Sequence, residues 1–214
     1  MGSVMPRPHY RPLTPRIGAL IAVLVLLMSG CGKHPKLPPL APDAVVLAFG
    51  DSLTYGTGAS EEESYPSQLA RVTGRRVVRE GVPGEVSAAG LARLAAMLDE
   101  HQPRLLLLCH GGNDFLRRLP REQAAENVRA MIRLAKSRGV EVVLIGTPEP
   151  GFSVAPPAFY VEIAKEFRIP YEGDVLGKIL RDSSLKADQV HPNAKGYLLM
   201  AERVADLLRK SGAI

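Results

Sequence analysis

The stretch "VVLAFGDSLTYG", residues 45–56, joins an apolar run to a Gly-Asp-Ser motif. The apolar run predicts a buried strand, because short continuous hydrophobic segments suit the interior of a sheet. Gly, Asp and Ser are ordinary turn residues, so the motif can simply end the strand. Alternatively, the strand holds the hydroxyl of Ser52 in one place. The rest of the sequence decides between these two interpretations.

Strand-like and helix-like segments alternate along the remaining sequence, which predicts one α/β domain over residues 44–214. The central strands are apolar throughout, as expected when helices cover both faces of a parallel sheet. We therefore predict a flavodoxin-like, three-layer, doubly wound sandwich with a mainly parallel five-stranded sheet. The predicted strands are residues 44–49, 75–80, 105–109, 140–146 and 169–173, and the predicted helices are residues 65–74, 86–103, 121–139, 160–167 and 197–208.

The net charge of +5 belongs largely to the N-terminus. The first 30 residues contain Arg7, Arg11 and Arg16 and no acidic residue, which leaves 24 basic and 22 acidic residues in the rest of the chain. Because this remainder contains no dense block of Lys and Arg, the sequence predicts no nucleic-acid partner.

The arginines precede an apolar run of twelve residues, 17–28, which is too short to cross a bilayer comfortably and suits the core of a signal peptide. The run leads into "SGC", which resembles a bacterial lipobox, although Met28 stands where that pattern prefers Leu. The resemblance implies a signal peptide over residues 1–30, a lipidated Cys31 and a periplasm-facing lipoprotein of the bacterial cell envelope, bound to the membrane through its lipid. Gly32 favours the outer membrane under the same resemblance. An ordinary signal peptide or a short membrane anchor is the alternative.

Four prolines follow Cys31 within a dozen residues. This composition predicts an extended spacer over residues 31–43 rather than a packed element. At about 3.1 Å per residue, such a spacer would hold the folded domain on the order of 35 Å from a membrane.

Polar groups follow the predicted strands, at the edge where ligands bind in doubly wound sheets. Ser52 follows the first strand, Gly84 the second and Asn113 the third, while Asp188 and His191 precede the last helix. A serine hydroxyl needs a base to become a nucleophile, and a histidine oriented by a carboxylate can supply one. The amides of Ser52 and Gly84 and the side chain of Asn113 are candidate donors to an oxyanion. Each motif alone is weak, but their order and placement together predict acyl-transfer chemistry.

The segments "FGDSLTYG", "VPGEVSAAGLARL", "HGGND" and "DQVH" resemble the conserved blocks of the GDSL, or SGNH, hydrolases. The likeness is greatest to the bacterial multifunctional thioesterase I/lysophospholipase/arylesterase branch, which also has "GLARL" and "HQPR" segments of this kind. The resemblance implies the SGNH hydrolase fold, Ser52 as nucleophile, Asp188 and His191 as the other triad members, and an oxyanion hole of Ser52, Gly84 and Asn113. It also implies that no metal and no cofactor take part.

The long loop "GTPEPGFSVAPPAFY" follows the fourth strand, and its counterpart in the branch lies over the acyl-binding groove. Phe152, Val154 and Phe159 are therefore candidates for an apolar trough, although core packing explains them nearly as well. We predict a monomeric serine esterase acting on small-molecule carboxylic esters and thioesters of acyl chains. One alternative is a carbohydrate or peptidoglycan O-acetylesterase. The other is a non-catalytic envelope lipoprotein on the same scaffold.

The sequence leaves the roles of four further residues near these motifs undecided. Asp51 is expected to cap the turn at Ser52 rather than to orient the nucleophile. His110 is a weaker candidate for the base, since no acid stands at the triad spacing beside it. Asp114 is expected to hydrogen-bond within its own loop. Cys109 ends an apolar run and is predicted to be a buried residue without a disulfide partner.

Overall fold

The structure is a computed structural model, and it describes Gly2 and residues 35–149 and 154–214. The chain divides into two compact units, residues 1–33 and 34–214, and the fold and the candidate site belong to the second. Apart from Gly2, the predicted signal peptide lies outside the described residues, and so does Cys31, the predicted lipidation site. Within the described part of the chain, no helix has the length and apolar character needed to cross a membrane.

Five parallel strands form one sheet, in the order β2-β1-β3-β4-β5. This order confirms the predicted flavodoxin-like fold and places the reversal of strand order between β1 and β3, where such sheets bind ligands. The third predicted strand matches the observed one at both ends, and the ends of the other four differ from the observed ones by one or two residues. The strands are β1 Val45–Gly50, β2 Arg76–Gly81, β3 Leu105–Cys109, β4 Glu141–Ile145 and β5 Tyr171–Glu172.

Helices cover both faces of the sheet, and three short ones were not predicted from the sequence. These three, Ser52–Tyr55, Gly112–Leu116 and Val175–Arg181, contain four, five and seven residues, which is too few to show a helical period. The helices are α1 Ser52–Tyr55, α2 Tyr65–Thr73, α3 Ser87–His101, α4 Gly112–Leu116, α5 Arg121–Ser137, α6 Phe159–Phe167, α7 Val175–Arg181 and α8 Ala194–Ser211, with short 3-10 helices at Glu61–Glu63 and Ser183–Leu185.

Each central strand contributes to two hydrophobic cores, because successive side chains point to opposite faces of a strand. In β1, Val46 and Ala48 pack on the face covered by α2 and α8, whereas Leu47 and Phe49 pack on the face covered by α3 and α5. This two-sided burial is the reason that β1 and β3 appear as continuous apolar runs in the sequence.

The segment before β1, residues 35–42, is packed against the domain, and we call it the N-terminal strap. The backbone N–H of Leu37 donates to the carbonyl of Ser211 at 2.9 Å, and that of Leu40 donates to Ala213 at 2.8 Å. The side chain of Leu37 is buried in the core shared by α2 and α8. The sequence predicted an unpacked spacer as far as residue 43, and the structure corrects this: ordered packing begins by Leu37, because a leucine between the prolines can bury its side chain against the end of α8.

Candidate active site

The Gly-Asp-Ser motif forms a strand-to-helix junction. The strand β1 ends at Gly50, and Ser52 is the first residue of α1. Asp51 caps this helix, since its Oδ1 accepts a hydrogen bond from the N–H of Leu53 at 3.1 Å. Gly50 is required here because a Cβ atom would lie 2.1 Å from the carbonyl oxygen of Cys109 on β3. The junction therefore fixes the Ser52 hydroxyl at the carboxyl edge of the sheet.

Ser52, His191 and Asp188 form a continuous hydrogen-bonded chain. The Nε2 atom of His191 lies 3.0 Å from the Oγ of Ser52, and its Nδ1 lies 2.7 Å from Oδ2 of Asp188. Because a carboxylate can only accept, it selects the tautomer with the proton on Nδ1 and leaves Nε2 free to accept the proton of Ser52. These are the three residues that the sequence grouped as a triad.

The loop around Asp188 holds this carboxylate in place. Its Oδ1 accepts hydrogen bonds from the backbone N–H groups of Val190 and His191, both at 2.8 Å. Partial burial opposes ionisation, but the hydrogen bonds from the His191 ring and the two backbone N–H groups outweigh it and lower the pKa of Asp188. Asn193 then caps α8 two residues after His191, so the loop passes directly into a long helix.

The candidate oxyanion donors face the same cavity as the Ser52 hydroxyl. Ser52, Gly84 and Asn113 all line this cavity, whose volume is about 550 Å³. Among the described residues, the backbone N–H groups of Ser52 and Gly84 donate to no protein acceptor. One N–H of the Asn113 amide donates to Oδ2 of Asp51 at 3.0 Å, which leaves its second N–H available.

Asp51 links the serine junction to Asn113. Its carboxyl is buried, with one oxygen on the N–H of Leu53 and the other on the amide of Asn113. Burial raises the pKa of Asp51, and hydrogen bonds and nearby histidines counter this only in part. The sequence anticipated the helix cap but not the contact with Asn113, which is 62 residues away.

Apolar side chains make up much of the cavity wall. The lining includes Leu53, Leu116, Val154, Leu180 and Val190. Val154 therefore lies where the sequence analysis expected a substrate-contacting residue, whereas Phe152 falls outside the described residues. Phe159 does not line the cavity, because its ring stacks on Tyr160 at 4.3 Å and packs against the core.

The remaining candidates from the sequence lie away from Ser52. His110 is fully buried and its Nε2 lies 3.1 Å from Glu85, so it is not placed to act as the base. The backbone of Asp114 bonds within its own loop, but its carboxylate reaches α3, where it accepts hydrogen bonds from the N–H and hydroxyl of Ser87 at 2.8 and 2.7 Å. Cys109 is buried, as predicted. Within residues 35–149 and 154–214, His, Cys, Asp and Glu form no group of three suited to a metal ion.

A model of the GDSL-like Lipase/Acylhydrolase family matches residues 48–199 of this chain. The chain belongs to this family. The matched segment contains all five residues that the sequence assigned to the triad and the oxyanion hole. This GDSL hydrolase is therefore an enzyme that cleaves carboxylic esters.

Characterised proteins resemble the GDSL hydrolase over most of its length. It is 31% identical to thioesterase 1/protease 1/lysophospholipase L1 of Escherichia coli over 77% of this chain and 83% of that protein. It is 28% identical to esterase TesA of Pseudomonas aeruginosa over 86% of this chain and 97% of that protein. Its fold matches the crystal structure of esterase EstA from Pseudoalteromonas with a TM-score of 0.69 at 24% identity, covering 78% of this chain and 98% of that one.

Proposed function

We propose that this hydrolase is a serine esterase that cleaves carboxylic esters and thioesters of acyl chains through an acyl-enzyme. Ser52 is the nucleophile, His191 the general base and acid, and Asp188 the residue that orients the imidazole. One observation carries the proposal: the hydrogen-bonded chain from the Ser52 hydroxyl through both nitrogens of His191 to the Asp188 carboxylate. A single chain supplies every one of these groups, so we propose that the monomer is active.

Acylation begins when the Oγ of Ser52 attacks the substrate carbonyl and its proton passes to Nε2 of His191. The carbonyl oxygen becomes an oxyanion, which accepts hydrogen bonds from the N–H groups of Ser52 and Gly84 and from the free N–H of Asn113. His191 then gives its proton to the departing oxygen or sulfur. The acyl group remains as an ester on Ser52.

Deacylation repeats these steps with water as the nucleophile. His191 takes a proton from the water as its oxygen attacks the acyl carbonyl, and the same three donors stabilise the second oxyanion. Protonation of Oγ by His191 releases the acid and restores Ser52. The Asp188 carboxylate stabilises the imidazolium in both halves of the reaction.

The apolar wall of the cavity supports an acyl chain as the group that the site accepts. The name of the Escherichia coli relative includes thioesterase and lysophospholipase, which supports thioesters and lysophospholipids among the substrates. Oxygen and sulfur leaving groups need the same proton from His191, so one site serves both.

The substrate class is tested by measuring hydrolysis rates on p-nitrophenyl esters with acyl chains of increasing length, and on an acyl-CoA and a lysophospholipid. Burial of each additional CH2 contributes about 0.8 kcal/mol, so kcat/KM should rise by up to about fourfold per CH2 until the cavity is full. A sharp preference for acetyl esters would support the O-acetylesterase alternative. Complete inactivity on every ester would support the non-catalytic scaffold.

We also propose that the protein is a lipoprotein of the cell envelope, anchored through Cys31 after removal of residues 1–30 and facing the periplasm from the outer membrane. The support is in the sequence: three arginines, a twelve-residue apolar run, "SGC", and Gly32 after the cysteine. One acyl chain binds a membrane only weakly, so stable anchoring needs more than one.

A further inference from the structure

Arg93, Glu85 and His110 form a cluster of an ion pair and an imidazole behind the catalytic edge, and none of the three takes part in the mechanism above. The side chain of His110 is fully buried, that of Glu85 is 7% exposed and that of Arg93 is 21% exposed. Burying charged groups costs free energy unless they are well paired, so a cluster of this kind needs an explanation.

Arg93 reaches from α3 to the ends of two strands. Its Nε lies 2.8 and 3.0 Å from the two carboxylate oxygens of Glu85, and its Nη2 lies 2.9 Å from one of them. The same Nη2 donates to the carbonyls of Gly50, at the end of β1, and Glu80, in β2, both at 3.1 Å. The guanidinium also packs over the ring of Phe49, 4.0 Å from its centre.

His110 connects the cluster to the end of β3. Its Nδ1 accepts a hydrogen bond from the N–H of Gly111 at 3.1 Å, so the ring proton lies on Nε2 and is donated to Glu85 at 3.1 Å. The imidazole fits against α3 only because residue 90 is glycine, since a Cβ atom there would lie 2.2 Å from Nε2 of His110.

We propose that Glu85, held by Arg93 and His110, is a positioning residue that sets the geometry of the oxyanion hole. This inference rests on the proposed roles of Ser52, Gly84 and Asn113. Gly50 precedes Ser52 by two residues, Glu85 directly follows Gly84, and His110 precedes Asn113 by three. The cluster therefore joins the chain segments next to all three oxyanion donors.

The Gly84–Glu85 peptide, which directly follows the donor N–H of Gly84, is held from both sides. Its carbonyl accepts a hydrogen bond from Nη2 of Arg117 at 2.7 Å, and the carboxylate of Glu85 points inward to Arg93. Gly84 has a φ of +77°, a conformation that a residue with a side chain rarely adopts. Burial raises the pKa of Glu85, but the hydrogen bonds from His110 and Arg93 outweigh it and lower that pKa overall, so the carboxylate stays charged. A donor fixed in this way needs no rearrangement as the oxyanion forms.

Replacing Glu85 with glutamine tests the proposal, because it removes the charge and one acceptor while keeping the side-chain shape. Loss of a whole oxyanion donor costs about 10²- to 10³-fold in kcat, so a misplaced one should cost about 10- to 10²-fold. We expect KM to stay within about twofold, since the interaction forms only in the transition state. The rate of inactivation by an organophosphonate should fall by the same factor as kcat/KM, because its tetrahedral adduct uses the same donors.

A matched control is Glu166→Gln, which likewise removes the charge of a carboxylate bound to an arginine, here Arg129 in a surface ion pair of 2.8 Å, and should leave kcat unchanged. The double variant Glu85→Gln/Arg93→Lys should lose more than Glu85→Gln alone but less than the product of the two single effects, because Arg93 acts in part through Glu85 and in part through its own bonds to the carbonyls of Gly50 and Glu80. Unchanged kcat and phosphonate reactivity in a folded Glu85→Gln protein, with only a lower Tm, would show a purely structural role and overturn the inference. An inactive unmodified chain would overturn the proposed function as well.

A second and independent observation concerns the N-terminal strap, which is bound at the end of the domain opposite the active site. The helix α8 begins three residues after His191 and ends at Ser211, whose carbonyl binds Leu37. Its 18 residues span about 27 Å. In addition, Nζ of Lys36 donates to the carbonyl of Lys210 at 3.0 Å, at the same end of α8.

We infer that a lipid anchor at Cys31 holds the active site facing away from the anchoring membrane; this rests on the proposed lipidation. The six residues from Cys31 to Leu37 extend at most about 20 Å. A domain of about 180 residues has a radius of gyration of about 16 Å and is about 40 Å across. A chain of this length is therefore too short to let the domain turn its active site to that membrane, and the substrate arrives from the periplasmic side.

The full-length lipidated protein in vesicles tests this orientation. The vesicles contain a diacyl lipid whose headgroup carries the butyrate ester of a fluorogenic phenol, and the soluble butyrate of the same phenol is the matched substrate. A variant with about 20 Gly and Ser residues inserted between residues 34 and 35 has a tether that can extend to about 70 Å beyond the natural length. We expect the natural and the lengthened protein to hydrolyse the soluble ester at equal rates. On the lipid ester, the lengthened protein should be faster by a factor of about 10 or more.

If the natural and the lengthened protein hydrolysed the lipid ester at equal rates, the inferred orientation of the active site away from the membrane would be overturned. A Cys31→Ser chain that still binds the vesicles would contradict lipid anchoring and the orientation with it. Failure to hydrolyse the soluble ester would instead contradict the proposed hydrolysis, which keeps the two results distinct.

Discussion

Replacement of Ser52 by alanine is expected to lower kcat on every ester by about 10⁶-fold, the size of loss seen when the nucleophile of a serine hydrolase is removed. The lost oxygen makes a side-chain hydrogen bond to His191, and the cap of α1 is provided by Asp51 rather than by Ser52. The variant should therefore fold normally. Circular dichroism and the Tm check the fold, and p-nitrophenyl ester hydrolysis measures the rate.

Ser137→Ala is the matched control for this variant. Its hydroxyl is exposed at the end of α5 and donates only to the carbonyl of Leu134, so its removal should change neither rate nor fold. A Ser52→Ala protein that keeps a tenth of the unmodified rate, about a 10-fold loss rather than the expected one, would show that another group attacks the substrate.

Replacement of Asn113 by alanine is expected to lower kcat by about 10²- to 10³-fold, the usual effect of losing one oxyanion donor. The loss should be similar for short and long acyl chains, because the oxyanion is common to all of them. Measured kcat and KM across the ester series separate this role from substrate binding. An unchanged kcat with a raised KM would assign Asn113 to binding instead.

The same change removes a hydrogen-bond donor from the buried carboxyl of Asp51. A buried group left without a partner costs about 1–3 kcal/mol of stability, which should lower the Tm as well. Rates are therefore compared well below the Tm of the variant, where the folded fraction is complete. A rate that recovers fully on cooling would reflect unfolding and would contradict the role in catalysis.

The sequence alone was sufficient to predict the sheet and the residues that meet at its edge. Parallel strands buried on both faces must be apolar at every position, so β1 and β3 were evident from local composition. The carboxyl ends of parallel strands lie at one edge, so residues that directly follow strands, such as Ser52, Gly84 and Asn113, had to converge. Convergence at one edge requires only the order of the elements along the chain. Local composition locates the centre of an element better than its ends, so most strand ends differed by a residue or two and the three shortest helices were not predicted.

Beyond the triad, only the tertiary structure decided which polar side chains touch one another across that edge. The bonds from Asp51 to Asn113, from Arg93 to Glu85 and from His110 to Glu85 join residues on different elements, and their exact partners depend on how those elements pack. Arg93 appeared in the sequence as an ordinary charged residue of an amphipathic helix. The packing of the N-terminal strap was not predicted for the same reason. Prolines predict an extended chain, but the residues that Leu37 contacts lie at the end of α8, more than 170 residues later in the sequence. Local sequence patterns indicate which residues are buried and which lie in turns. Contacts between distant segments form only after the packing of the core has brought those segments together.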